Sequence, residues 1–487
     1  MLLTLLLQST GTASALEILL NGRALPVPPE VELVSLSYAV PVDDRLERGL
    51  SLGELIPPLT DAWRLEAASR AGGTRVWTEG DLADRLHEAR LLRTPGGWDL
   101  LHRGVRLAGV ERIEISGDLA VERDLEVWLS WEGIPRLKAE IERWSRLTGA
   151  KVRTVDVPDT RSKLLAALRG GGRMPDLVMI QSDNLPSLLV AQALQNLDRV
   201  DGSYLVEKGR GAFESGGRRW AVPFYFDAQL VFYSRKHFPS APPLDWTTDW
   251  LEAEARRVAR SGTSPMSWNA YSAYWLLSFA LGFGKPSIED PDGAVRPDDP
   301  GTKAALRWIL RMRDEGLLEV LERDGMVGRF AAGQTALILS GSYSIPEFER
   351  IGLDFGAAPY PVVSATGRPV APLLDFKGFA MTRATRSPVT ARRLLEYLSG
   401  VGVQQRFTSA LSKLPANRGA WEVARSTNRY FPQLSRSYEI GTVIPPSEGY
   451  TTYKNTMWKI LRFVYSGTMT VDEALAEGRR LIEANRP

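Results

Sequence analysis

The sequence predicts an α/β protein of two lobes joined by a hinge, preceded by a small α+β domain. Three observations carry that expectation. The first is the stretch Arg218–Pro239, RRWAVPFYFDAQLVFYSRKHFP. There an aromatic turn bearing one acid, Asp227, leads into an apolar run, Ala228–Tyr233, with the length and residue types of a buried strand. Rings and a carboxylate where one segment of chain leaves and another begins read as the hinge and floor of a cleft. The second is the strand–helix–strand–helix–strand spacing from Leu125 to Ile180, which implies parallel pairing through crossover helices. The third is length, since 487 residues exceed one ordinary domain.

Taken in order, residues 1–15 combine a short apolar core with the small-residue pattern Ala13-Ser14-Ala15. They are expected to be a secretory signal cleaved before Leu16, although the first positive side chain is Arg23. No other stretch reaches the ~18 uninterrupted apolar residues of a membrane span. Residues 16–120 are expected to form the small α+β domain, with strands at Leu16–Leu20 and Val31–Tyr38. A short helical segment is expected in Leu50–Ala68, a helix capped by Asp81, and a final strand pair in Val105–Ile115. No chemical motif stands out in it.

From Leu125 the pattern changes. Strand Glu126–Trp131 precedes an amphipathic helix with Leu137, Ile141 and Trp144 at i, i+4, i+7, ended by Gly149. Strands Lys151–Val157 and Asp176–Ile180 follow, around a helical Leu164–Leu168. Beyond the hinge, helices are expected around Leu251–Val258, at Thr302–Asp314 and around Ala391–Leu398, with strands at Ala336–Leu339, Leu353–Ala358 and Phe376–Met381. Thr470–Glu473 forms a capping box for the last helix. No internal repeat is apparent.

Composition narrows the chemistry. Hydrophobic content of 44% and charged content of 24% suit a soluble globular protein. A net charge of +2 gives no attraction to nucleic acid or an anionic membrane. Without cysteine there is no disulfide, thiolate zinc site, cysteine nucleophile or lipidated cysteine. Only three histidines, His87, His102 and His237, argue against a histidine-rich metal site or a Ser-His-Asp triad. No cofactor, metal or catalytic residue is therefore expected.

Nine segments occur in a telling order: LEVWLSWEG, RLTGAKV, MPDLVMIQSDNL, QALQNLD, the hinge stretch, FAAGQTALILSGSYSI, FKGFAMTR, ARRLLEYLSG and SGTMTVDEAL. In these the chain resembles the maltose-binding-type extracellular solute-binding proteins of ABC importers, the family-1 group, from about Asp124 to Pro487. The resemblance implies a two-lobed periplasmic-binding-protein fold of the type II, maltose-binding-like kind. Lobe 1 would comprise about 124–226 plus 378–425, and lobe 2 about 229–375 plus 430–487. It also implies a carbohydrate, an oligosaccharide, held between the lobes by hinge closure and delivered to ABC permease subunits by a monomeric protein. The location would be periplasmic or extracellular. The domain at 16–120 departs from the family pattern, and Tyr343 stands where the family has a tryptophan.

Sugar chemistry calls for rings on C–H faces and ionised acceptors for hydroxyls, placed at strand ends and crossovers. The expected ligand residues are Trp131 and Glu132 after the first strand, and Asp183 and Asn184 after the 176–180 strand. Phe224, Tyr225 and Asp227 come from the hinge, and Trp268, Asn269, Tyr271 and Tyr274 from the ring-dense segment. Tyr343 follows the 336–339 strand, Phe376 and Lys377 lie at the second crossover, and Tyr450 and Tyr453 near the C-terminus. Trp275 and Phe279, at helical spacing, read as core. One alternative is a glycoside hydrolase with a carboxylate pair, Asp227 with Glu132 or Asp183. Others are the same fold with a polyol phosphate, polyamine or iron ligand, or a ligand sensor feeding a signalling partner.

Overall fold

The computed structural model describes residues 16–485 apart from Asp44 and Arg123, so the expected export segment lies outside the described residues. Two β-sheets dominate, one of nine strands and one of eleven.

The nine-stranded sheet is built from residues 17–119. Its longest strand, Val105–Leu119, pairs in parallel with Glu17–Leu20 and antiparallel with Gly97–His102 and Leu59–Ser69. Ile18, Leu50, Leu65, Leu91, Leu100 and Ile113 fill the core beneath it. Helix is confined to two short pieces, Glu30–Leu36 and Leu82–Arg85. Two expectations are corrected here. Within the expected strand 31–38, Leu33 and Leu36 are buried at helical spacing while Val31 and Val34 face solvent. The expected helical segment 50–68 is extended, with only a 3₁₀ turn at Leu52–Glu54. Its alanine-rich composition favours helix, but Leu65, Ala67 and Ser69 face the core at a period of two. The expected strand pair at 105–115 is one continuous strand.

The eleven-stranded sheet runs through both lobes. In lobe 1 the parallel strands Lys151–Asp156, Asp124–Leu129 and Leu177–Gln181 lie side by side. Leu373–Met381 then pairs antiparallel with Leu177–Gln181 and with the first half of Val222–Ser234. The second half of Val222–Ser234 enters lobe 2, where it pairs with Thr335–Gly341 and Phe355–Ala358. Ser264–Trp268 joins beyond Thr335–Gly341. The stretch read as an aromatic turn is thus part of a 13-residue strand, interrupted by an irregularity between Pro223 and Tyr225. Residues Val222–Tyr233 are all buried because helices cover both faces.

The helices follow the expected apolar periodicity. Ile134–Thr148 buries Leu137, Ile141 and Trp144 and stops at Gly149, whose φ of 70° needs no Cβ. Pro388–Ser399 buries Ala391, Leu394, Leu395 and Leu398. Val471–Ala484 starts with the expected Thr470/Glu473 capping box.

Candidate ligand site in the interlobe cleft

Each lobe ends one strand in the same way. In lobe 1, Leu177–Gln181 passes into the 3₁₀ turn Ser182–Asn184 and the Pro-containing helix Leu185–Val190. In lobe 2, Thr335–Gly341 passes into the turn Ser342–Ser344 and the helix Ile345–Arg350, again with proline in its first turn. The matched hexapeptides are Gln181–Pro186, QSDNLP, and Gly341–Pro346, GSYSIP. Both central serines are buried, and the residues after them, Asp183 and Tyr343, line one cleft of about 330 Å³.

Of the residues expected from sequence, Asp183, Asn269, Tyr274, Tyr343 and Tyr450 line this cleft. Gln181, Arg323, Asp375 and Lys454 line it as well, and sequence reasoning missed them. Trp275, read as core, is buried in the core and packs edge-on against Tyr274 at 4.9 Å between centroids, while also edging the cleft. Lys454 follows Tyr450 by one helical turn on Glu448–Tyr465, a spacing that placed both on one face. Asp375 directly precedes the Phe376-Lys377 pair that was singled out.

The polar groups are arranged in pairs. Lys454 Nζ donates to Asp183 Oδ2 at 2.6 Å, bridging lobe 2 to lobe 1. Gln181 Nε2 and Lys377 Nζ both donate to Asp375 Oδ2, at 2.9 and 2.8 Å. Burial holds the Asp375 carboxyl above its ordinary range, although Lys377 opposes the shift. Asn269 Nδ2 donates to Glu322 at 2.9 Å, while its buried Oδ1 has no partner among the described residues. Arg323 lies over the Tyr343 ring at 5.8 Å and pairs with Glu347 at 2.9 Å.

The remaining expected residues sit elsewhere. Asp227 lies beneath the cleft floor, 1% exposed. Its Oδ1 accepts from Ser342 Oγ and Lys413 Nζ, both at 2.7 Å, and its Oδ2 accepts from Lys377 Nζ at 2.7 Å. Burial alone would raise this carboxyl, but the two lysines prevail and hold it well below the usual range. Burial would likewise lower Lys377, and Asp227 and Asp375 overcome it to raise the ammonium instead. Glu132 closes the network, accepting from Lys413 at 3.3 Å and from the Tyr225 hydroxyl at 3.2 Å. Asp227 is therefore committed to Lys377 and Lys413, and Glu132 to Lys413 and Tyr225.

Phe224, Tyr225, Trp268, Phe376 and Tyr453 are buried and do not line the cleft. Phe376 stacks on Phe226 at 4.7 Å, Trp268 packs on Phe279 at 4.9 Å, and Phe224 packs on Phe407 at 4.9 Å. Phe224 and Tyr225 enter one apolar core, and Trp268, Phe376 and Tyr453 enter another. Asn184 is spent on capping the turn, its Oδ1 accepting from the Gln181 amide at 3.3 Å. Trp131 packs against the lobe 1 core, with a left-handed φ of 64°. Tyr271 sits edge-on to Tyr465 under the Arg462 guanidinium. Among the described residues no cluster of three or more His, Cys, Asp or Glu is placed to hold a metal, and no helix is long and apolar enough to cross a membrane.

Comparison with known proteins follows this geometry. The chain is 24% identical over 290 residues to the maltodextrin-binding protein MdxE of Bacillus subtilis (strain 168), covering 56% of this chain and 68% of that protein. It is 24% identical over 217 residues to the maltotriose-binding protein of Pyrococcus abyssi (strain GE5 / Orsay), covering 43% of this chain and 47% of that one. In structure it is similar to the GacH receptor of Streptomyces glaucescens GLA.O, with a TM-score of 0.67 at 21% identity, over 75% of this chain and 100% of that one. The maltotriose-binding protein of Thermus thermophilus gives a TM-score of 0.65 at 20% identity, over 74% and 99%. The expected two-lobed periplasmic-binding fold is the fold observed. Residues 142–428 match the family described as bacterial extracellular solute-binding protein, and the chain belongs to that family.

Proposed function

We propose that the chain is an extracytoplasmic receptor that captures an oligosaccharide in the interlobe cleft and hands it unaltered to an ABC permease. The observation that carries this reading is the pairing of equivalent strand ends across the cleft, Asp183 from one lobe and Tyr343 from the other. Tyr274, Trp275, Tyr343 and Tyr450 offer rings for sugar faces. Asp375 Oδ1 and Asn269 Oδ1, which accept no hydrogen bond among the described residues, offer acceptors for hydroxyls. The hinge network of Glu132, Asp227 and Asp375 against Lys377 and Lys413 carries one more acid than base. In the cleft lining itself the acids Asp183 and Asp375 are matched by Arg323 and Lys454, a balance that suits a neutral polar ligand. Relatives named for maltodextrin and maltotriose support the same ligand class.

A ligand touching both strand ends favours the closed arrangement by its differential affinity. It must also displace or exploit the Lys454–Asp183 bridge, which already spans the cleft. Residues 16–120 are proposed to be a separate folding unit riding on lobe 1. Calorimetric titration with maltotriose, longer maltodextrins and a panel of other mono- and oligosaccharides tests the reading, with product chromatography run on the same mixtures. Saturable binding with the sugar recovered intact is expected. No response to any carbohydrate would retire the ligand class, and shortened products would retire the receptor reading in favour of a hydrolase.

A further inference from the structure

A cavity of about 160 Å³ lies between the N-terminal sheet and lobe 1, separate from the interlobe cleft. Four rings line it, Tyr38, Trp144, Tyr204 and Tyr397, with Glu54 among them. Glu54, only 4% exposed, ends the 3₁₀ turn Leu52–Glu54. Its Oε1 accepts from the Tyr38 hydroxyl at 3.1 Å, and among the described residues it forms no ion pair. Of the two guanidinium groups whose charge acts on it, Arg406 and Arg90, the stronger, Arg406, is committed to Glu140 through two bonds of 2.9 and 2.8 Å.

The other charged groups of the lining have partners of their own, Asp201 accepting from the Ser203 amide and hydroxyl. Arg393 bonds Glu396 at 2.8 Å and Asp84 at 3.0 Å, Arg90 donates to the His87 carbonyl, and Glu88 faces Arg85 at 3.4 Å. Two further polar atoms of the lining, His87 Nδ1 and the Tyr204 hydroxyl oxygen, are buried without a partner among the described residues. A buried carboxyl with an uncommitted oxygen, enclosed by rings, is an incomplete arrangement. Burial holds it above its usual range, and the opposing pull of Arg406, the Tyr38 hydroxyl and Arg90 does not overcome it.

We propose that this cavity is a second binding site, taking a small organic cation with an apolar body, its ammonium group set between the Glu54 carboxylate and the ring faces. The negative faces of the rings attract a cation, and a carboxylate completes it with a charge-assisted hydrogen bond. A neutral guest would leave Glu54 unpaired, and an anion would oppose it. The size fits, since a dry cavity of about 150 Å³ holds a benzene ring.

The test uses the full chain and three probes of one shape: benzylammonium, benzyl alcohol and benzoate. Benzylammonium is expected to bind with one-to-one stoichiometry in calorimetry, and the other two at least about tenfold more weakly. Glu54→Gln keeps the shape and the bond to Tyr38, and should weaken benzylammonium about tenfold or more. Ala83→Leu, which fills the cavity from Leu82–Arg85, should abolish binding. Neither substitution should change ligand binding in the interlobe cleft, so the two sites are tested separately. Failure of the intact chain to bind benzylammonium would overturn the proposal. Equal affinity in Glu54→Gln, or preference for benzoate, would do so too.

Discussion

At the scale of single residues, the decisive case is Asp227. An acid on a ring-rich strand between lobes looks like a ligand contact, yet here it neutralises two lysines that are 2% and 0% exposed. Removing one partner of a buried network leaves uncompensated charge, typically at a cost of about 3–5 kcal/mol. Asp227→Ala should therefore lower stability by about that amount, read from urea midpoints, rather than act on affinity alone. Tyr343 is the opposite case, half in the cleft with its ring lying across Gly341, where a Cβ would collide with it. Tyr343→Ala should leave the unfolding midpoint within about 1 kcal/mol and weaken oligosaccharide binding about tenfold, roughly 1.4 kcal/mol. Unchanged affinity in calorimetry would remove this ring from the site. Local pattern separated these two poorly, because burial of Asp227 depends on Lys377 and Lys413, partners 150 and 186 positions away.

At the scale of elements, strand and helix order in the two lobes was readable from periodicity, and the strand ends carrying Asp183 and Tyr343 were found at the right places. The ring-rich segments were harder. A tryptophan at 268 and another at 275 have the same composition signal, but the first ends a strand within the core and the second begins a helix at the cleft wall. In residues 50–68, alanine content spoke for helix while pairing with Val105–Leu119 enforced extension. The bridge from helix Glu448–Tyr465 to Asp183 joins positions 271 apart and has no local trace. Lys454 is partly exposed, so its pair is worth about 0–1 kcal/mol and is screened by salt. Lys454→Ala should shift the unliganded protein toward the open arrangement by up to about fivefold. A larger radius of gyration in X-ray scattering, without a change in the liganded form, is the expected result.

At the scale of the whole molecule, the charge network ties stability to pH. The folded Asp227 carboxyl lies below its unfolded value of about 3.9, so its contribution is present above that pH and is lost as pH falls toward the native value. Asp375 and Glu54 are raised instead; their contribution is present below the unfolded values and is lost as pH rises through the native ones. The stability difference between the native chain and Asp227→Asn should therefore narrow as pH falls below about 3.9, measured by urea unfolding at successive pH values. A constant difference would show that Asp227 acts through shape and not charge.

The N-terminal sheet is held to lobe 1 by Gln405, whose side chain exchanges two bonds with the Ala39 backbone, by Arg406 on the Leu36 carbonyl, and by Arg392 and Arg393 on Asp84. Tyr38 packs flat on Gly402, a position where any side chain would intrude. The halves consequently present unequal silhouettes, one encumbered and one bare. Opening or closing of the cleft must therefore carry that sheet along with lobe 1 as one body.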